Sequence, residues 1–237
     1  MSKKIISFGG GVNSVAMVIM LYKRGEIYPC VFADTMSEHP ETYCYMDYFE
    51  REFMSKYGQK IVRLSPVNNP EYYFPSSQGL PLYERHLRFK SVPLPMQIFC
   101  SHEYKRHPLE KYAPCDHIIG FAWDERHRAK DKIYPLMEAQ ITRQGCIDII
   151  RNEGLNVPRK SGCFICSMQR ISQWEDLWKN YPDLYQKAID LEKNSNGLTI
   201  RSDGRSLEVL RERFESKGGE LFPDYDYEEL TPCMCIT

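Results

Sequence analysis

The chain has 237 residues, enough for one large domain or for one domain with an extension. Its 31 lysines and arginines stand against 32 aspartates and glutamates, a net charge of −1, so no global field draws in nucleic acid and only a local basic site is left open. Nine cysteines, no apolar run of membrane-spanning length and no apolar leader predict a cytoplasmic protein with no membrane partner, in which grouped cysteines serve metal, cluster or thiol chemistry rather than a disulfide framework.

Taken in order, Lys3–Phe8 is short and rich in isoleucine, a buried strand. Gly9-Gly10-Gly11-Val12-Asn13-Ser14 follows, and then Val15–Arg24 runs without a breaker as a buried helix. Strand, glycine turn and helix is the geometry that cradles phosphate. Glycines let the backbone approach an anion without a Cβ in the way, and the amides of the helix start point at it. Neither the Gly-x-x-x-x-Gly-Lys phosphate loop nor the Gly-x-Gly-x-x-Gly dinucleotide turn fits these residues.

Tyr28–Asp34 is a second strand, which places the Asp34 carboxylate at a strand's carboxyl end, where open α/β sheets bind ligands. A helix from about Glu41 to Tyr57 and a third strand at Lys60–Leu64 come next. Prolines and aromatics then break regularity from Ser65 to Pro95, with Arg85–Lys90 read as either a phosphate or base grip or a solvated face. Cys100 to Leu109 begins a short helix, Asp116–Phe121 is a fourth strand ending on the polar Trp123–Arg128, and Ile133–Leu136 is a short fifth strand or edge. Thr142 caps a helix from Arg143 to about Asn152. After Pro158–Cys166, helices are expected near Ser172–Lys179, Pro182–Lys193 and Ser206–Glu215, before an acidic stretch and Cys233-Met234-Cys235. The alternation predicts an α/β fold, a doubly wound parallel sheet of about five strands in residues 1–157, with a helical, cysteine-bearing extension in 158–237.

Cys163-x-x-Cys166 puts two thiolates on one turn, half of a zinc or iron–sulfur site, and Cys100 and Cys146 are the candidates for the rest. Cys30, Cys44 and Cys115 read as buried apolar cysteines.

The glycine turn resembles the pyrophosphate loop, Ser-Gly-Gly-x-Asp-Ser, of the ATP-pyrophosphatase and sulfonucleotide-reductase superfamily. Gly9 replaces that pattern's first serine and Asn13 its aspartate. Cys100, Lys105, Pro108 and Leu109 match a second motif of the superfamily, and Gly162, Cys163 and Cys166 a third. Together they resemble phosphoadenosine-phosphosulfate-reductase-like proteins, adenine nucleotide alpha hydrolases of phages and bacteria.

The resemblance implies ATP or another adenine nucleotide held at Ser7, Gly9, Gly10, Gly11, Asn13, Ser14 and Asp34, with Mg²⁺ on its phosphates. Lys105, Asp34 and Arg126 are the expected reacting-site residues, and Cys100, Cys146, Cys163 and Cys166 the ligands of a 4Fe–4S cluster, with zinc as the alternative. The implied reaction is adenylation of a nucleobase or nucleic acid, with pyrophosphate release and sulfur transfer from a sulfur donor. The alternatives are a thiol-dependent sulfonucleotide reductase using Cys233 or Cys235 and a thioredoxin-like reductant, and a non-catalytic nucleotide-binding module.

Overall fold

The computed structural model describes residues 4–94 and 99–216. Lys3, Pro95, the acidic stretch and the cysteines Cys233 and Cys235 lie outside the described residues. Four strands, β1 (Lys4–Ser7), β2 (Cys30–Ala33), β3 (Ile61–Leu64) and β4 (Asp116–Ile119), form one sheet in the order β3-β2-β1-β4. Every neighbouring pair is parallel, with Ile6 opposite Cys30 and Ile118, and Val31 opposite Val62. The chain builds outward from β1 on one side and then crosses to its other edge for β4. That reversal opens a crevice at the carboxyl ends of β1 and β4.

The expected fifth strand is not formed. Ile133 makes a single parallel bridge with Ile118, and Pro135 then opens a helical turn, α6 (Pro135–Glu138), in place of an extended edge. Proline fixes its own φ and suits a first helical turn, so the ladder ends there.

Alternation along the strands sorts two cores. Ile6, Cys30, Phe32, Ile61 and Ile118 face α1 (Val12–Lys23), α2 (Pro40–Glu52) and α7 (Arg143–Asn152). Helix α1 is buried from Val12 to Tyr22, which explains why its sequence is apolar all round rather than striped. The opposite residues, Ile5, Val31, Ala33 and Leu64, face α3 (Leu82–Arg88), the helical run from α4 (Phe99–Ser101) through a π turn at His102–Arg106 to α5 (His107–Tyr112), and the helices α8 (Ile171–Asn180), α9 (Pro182–Asn194) and α10 (Leu207–Ser216). Trp174, Leu177, Tyr185 and Phe214 from these last helices thus share a core with β1 and β2. Residues on both sides of position 157 complete one three-layer structure.

Local chemistry sets the helix ends. Thr142 Oγ1 accepts from Gly145 N at 3.3 Å and starts α7. The buried Glu192 carboxylate accepts from Ile200 N at 2.8 Å and Leu207 N at 2.7 Å, tying α9 to the start of α10.

Arg85–Lys90 does not reach the crevice. It lies on and just after α3, where the Arg85 guanidinium sits over the Phe99 ring at 4.4 Å and pairs with Glu103 at 3.5 Å. His86 is buried beside Ser91 Oγ, and burial together with the Arg85 charge pushes its imidazole down to about 4. An unfolded histidine titrates near about 6.5, so between those values the unfolded chain takes up a proton that the folded chain refuses. Stability from this site is full above pH ~6.5 and falls as pH drops toward ~4, by up to a few kcal/mol. His86→Phe should flatten that part of the urea-unfolding pH profile; an unchanged acid limb would show that other groups set it.

Candidate nucleotide site

The loop between β1 and α1 is bare of competing groups. Gly10 has φ +70°, and Gly11, which precedes α1, offers no capping side chain. No acidic residue lies in the first turn of α1. The helix-start amides and the positive dipole end therefore keep their capacity for an anion. Ser14 Oγ donates to Gly11 O at 2.8 Å and braces the turn. Ser7 Oγ lies 3.0 Å from His117 Nδ1, whose Nε2 faces Ala113 O at 3.0 Å. A carbonyl only accepts, so Nε2 carries a proton, and in the neutral ring Nδ1 accepts from the Ser7 hydroxyl.

Two adjoining hollows flank the loop. The first is lined by Gly9, Gly11, Asn13, Ser14, Gly120, Glu125, Arg128, Arg143 and Ser161. The second encloses about 210 Å³ and is lined by Ser7, Gly9, Lys105, Arg106, His117, Ile119, Phe121, Arg128, Lys130, Lys132 and Tyr134, among others. Its floor is apolar: the Phe121 and Tyr134 rings stack at 5.5 Å, and the Arg128 guanidinium sits 4.5 Å from the Phe121 centroid. A flat base or sugar suits such walls, and the cationic rim suits anionic substituents.

Asp34 follows the end of β2. Its Oδ1 accepts from Met36 N and from Tyr43 Oη, each at 2.7 Å. Burial pushes its carboxyl up, while these two donors and Lys105 oppose the shift. Lys105, on the π turn, pairs with Glu38 at 2.9 Å. Glu38 Oε1 also accepts from Thr35 Oγ1 at 3.2 Å and from Cys163 Sγ at 3.4 Å.

The cysteine loop is docked on these same elements. Glu38 and Cys163 form an antiparallel bridge, His39 N donates to Gly162 O at 2.9 Å, and Phe164 N donates to Ser37 O at 2.9 Å. A Cβ on Gly11 would lie 3.0 Å from Ser161 Oγ, so the loop's Ser161 closes against the glycine turn.

Of the expected site residues, the structure brings Ser7, Gly9, Gly11, Asn13 and Ser14 to one crevice, with Lys105 in the adjoining hollow. Gly10 borders a separate hollow, with Thr42 and Lys160. Asp34 lies outside the lining of both hollows, held by its hydrogen bond from Tyr43. Arg126 is exposed and rests over the Trp123 ring at 5.2 Å, also outside that lining. The guanidiniums that line the loop hollow are Arg128 and Arg143.

The four-cysteine set is not assembled. Cys146 is buried on α7 in the core facing α1, whereas Cys100, Cys163 and Cys166 belong to the core on the sheet's opposite face. Burial also pushes the Cys146 thiol up to about 12. Among the described residues, no group of three or more His, Cys, Asp or Glu side chains is placed to hold a metal ion. The donor set does not fit a four-thiolate cluster, and no chemistry is derived from one. Of the remaining cysteines, Cys30 is buried, but Cys115 is only half-buried and Cys44 is exposed.

Sequence reasoning missed Glu125, Arg128, Arg143 and His117 as site residues. Glu125 and Arg128 lie in the polar segment after β4, so position alone could have flagged them; Arg143 is the first residue of α7, and nothing local marks it.

A parallel sheet with a bare glycine turn at its crossover, cations around it and an apolar pocket beside it defines an α/β nucleotide-binding protein. The family profile described as phosphoadenosine phosphosulfate reductase domain matches residues 3–139, more than half of the chain, and the chain belongs to that family. No curated protein matches it. Membership implies an enzyme of sulfonucleotide-related, adenine-nucleotide chemistry. No helix among the described residues is long and apolar enough to cross a membrane.

Proposed function

We propose that the crevice binds adenylyl sulfate or its 3′-phosphorylated form, and that the protein is a thiol-dependent sulfonucleotide reductase. The phosphosulfate tail would lie on the amides of Gly9–Ser14, with the adenosine in the adjoining apolar hollow. The observation that carries this reading is the charge pattern. Arg128 and Arg143 line the loop hollow, while both oxygens of its one carboxylate, Glu125, already accept hydrogen bonds, from Arg128, Asn13 and Ala122 N. Arginine pairs suit a phosphosulfate tail directly. A Mg²⁺–triphosphate would instead call for open carboxylate ligands.

In this reaction a thiolate attacks the sulfate sulfur, and the S–O bond to the phosphate breaks. A cysteine S-sulfonate forms and the nucleotide leaves with the bridging oxygen. A second thiol attacks the cysteine sulfur, sulfite departs and a disulfide remains for a thioredoxin-like reductant to reduce. Cys233 and Cys235 are the thiols proposed for this role. The chain's own cations hold the leaving phosphate, and Lys105 stands at the edge of the cleft.

The test is sulfite release from adenylyl sulfate and its 3′-phosphorylated form, with a dithiol reductant, beside pyrophosphate release from ATP and Mg²⁺. Sulfite release that disappears when Cys233 and Cys235 are both changed to serine is the expected result. Pyrophosphate release without sulfite would overturn it and favour adenylation of a nucleobase or nucleic acid.

A further inference from the structure

We propose that Asn13 and Glu125 act as one positioning unit that aims Arg128 and Arg143 at the anion bound on the glycine turn. The inference rests on the reading of that turn as an anion site. Three elements meet here: the first turn of α1, the segment after β4 and the first residue of α7. Asn13 Nδ2 donates to Glu125 Oε2 at 2.5 Å, and Asn13 Oδ1 accepts from Arg143 Nη1 at 3.1 Å. Glu125 Oε1 accepts from Arg128 Nη1. Asn13, Glu125 and Arg143 are buried at 7%, 5% and 5% exposure.

The chemistry of this chain of bonds dictates the side chain at position 13. One end faces a carboxylate and needs an N–H; the other faces a guanidinium and needs an acceptor. An amide meets both demands with no charge. Aspartate would satisfy Arg143 but would set a second carboxylate against Glu125, at a separation where like charges resist joint ionisation. Leucine would strand both partners in a buried place. Both polar ends of Asn13 are therefore committed to the protein, and the contact with ligand falls to the two guanidiniums. The negative charge that organises them sits on Glu125, one hydrogen bond removed from the turn.

The arrangement predicts a charge-exchange rescue. In Asn13→Asp, repulsion between the new carboxylate and Glu125 should weaken binding of adenosine 5′-monophosphate roughly tenfold. Adenosine, which lacks the anion, should bind within about twofold of the native value. In Asn13→Asp/Glu125→Gln the amide and the carboxylate trade places. The introduced amide donates to the introduced carboxylate and accepts from Arg128, and that carboxylate accepts from Arg143, while Ala122 N, which donates to Glu125 Oε2 at 3.3 Å in the native protein, loses its acceptor. Affinity for the monophosphate should recover in part, clearly above that of Asn13→Asp. Titration calorimetry with both probes, and the thermal midpoint of each ligand-free variant, read the outcome. An Asn13→Asp protein that binds the monophosphate as tightly as native would overturn the proposal. So would an equal loss for adenosine, or a double variant no better than the single one. If the native protein binds neither probe, the anion-site reading itself fails. The ligand-free midpoints then decide the pair separately: recovery in the double variant supports the coupling, and no recovery overturns it.

Discussion

Lys105→Met should destabilise the protein by about 3–5 kcal/mol, the cost of leaving a buried ion without its partner. The Glu38 side chain is 1% exposed and that of Lys105 12%, with 2.9 Å between them. Thr35 and Cys163 donate to the same carboxylate oxygen but bring no charge to offset it. Urea unfolding measures the loss. Lys105→Met/Glu38→Leu should recover most of it, because removing both charges also removes their desolvation penalty. A single-variant loss below about 1 kcal/mol would place the pair in the range of solvent-screened surface bridges. Ligand turnover should stay low in both variants, since the cleft edge has lost its ammonium.

The second large effect is expected at Gly120. A Cβ there would lie 3.0 Å from both Cα and N of Ser14 and 3.1 Å from the Asn13 carbonyl carbon. These are main-chain atoms of the helix start, so relief requires moving α1 against the core that buries it. Gly120→Ala should cost about 1–3 kcal/mol by overpacking. Displacing the amides proposed to hold the anion by even ~1 Å should lower turnover or affinity on the order of a hundredfold. Gly162→Ala is the matched control: its added Cβ meets nothing within 4 Å, and the change should stay within about 0.5 kcal/mol of native. Equal behaviour of the two variants would show that close packing at Gly120 does not hold the turn in place.

Much of the fold is legible along the chain because it rests on local periodicity. Isoleucine-rich β1, the breaker-free α1 and the Thr142 cap each carry their own signal, and all three form. The same local grammar misleads at Ile133–Leu136, where β-prone residues precede a proline that starts a helical turn. For the site, the glycine turn is visible because glycine's conformational freedom has few other uses there. The ion network is not, because Asn13, Glu125 and Arg143 meet only once β4 has crossed to the far edge of β1. Cys146 is the instructive miss. It precedes Ile150 by one helical turn and so shares the stripe that packs on α1; its helical phase, more than its spacing from Cys163, decides where it points.

The docking of the cysteine loop has a consequence for how the protein is made. Glu38 and Cys163 are separated by 125 residues in sequence, yet their bridge docks the loop whose Ser161 closes against the glycine turn. In a nascent chain with only β1 to α7 outside the ribosome, Ile5, Val31, Ala33 and Leu64 already have Leu82, Tyr104 and Leu109 to pack on, but Trp174, Leu177, Tyr185 and Phe214, which complete that core, have not yet been synthesised. The cysteine loop and the last helices dock late in translation, and until then the outer side of this second core is open to chaperones.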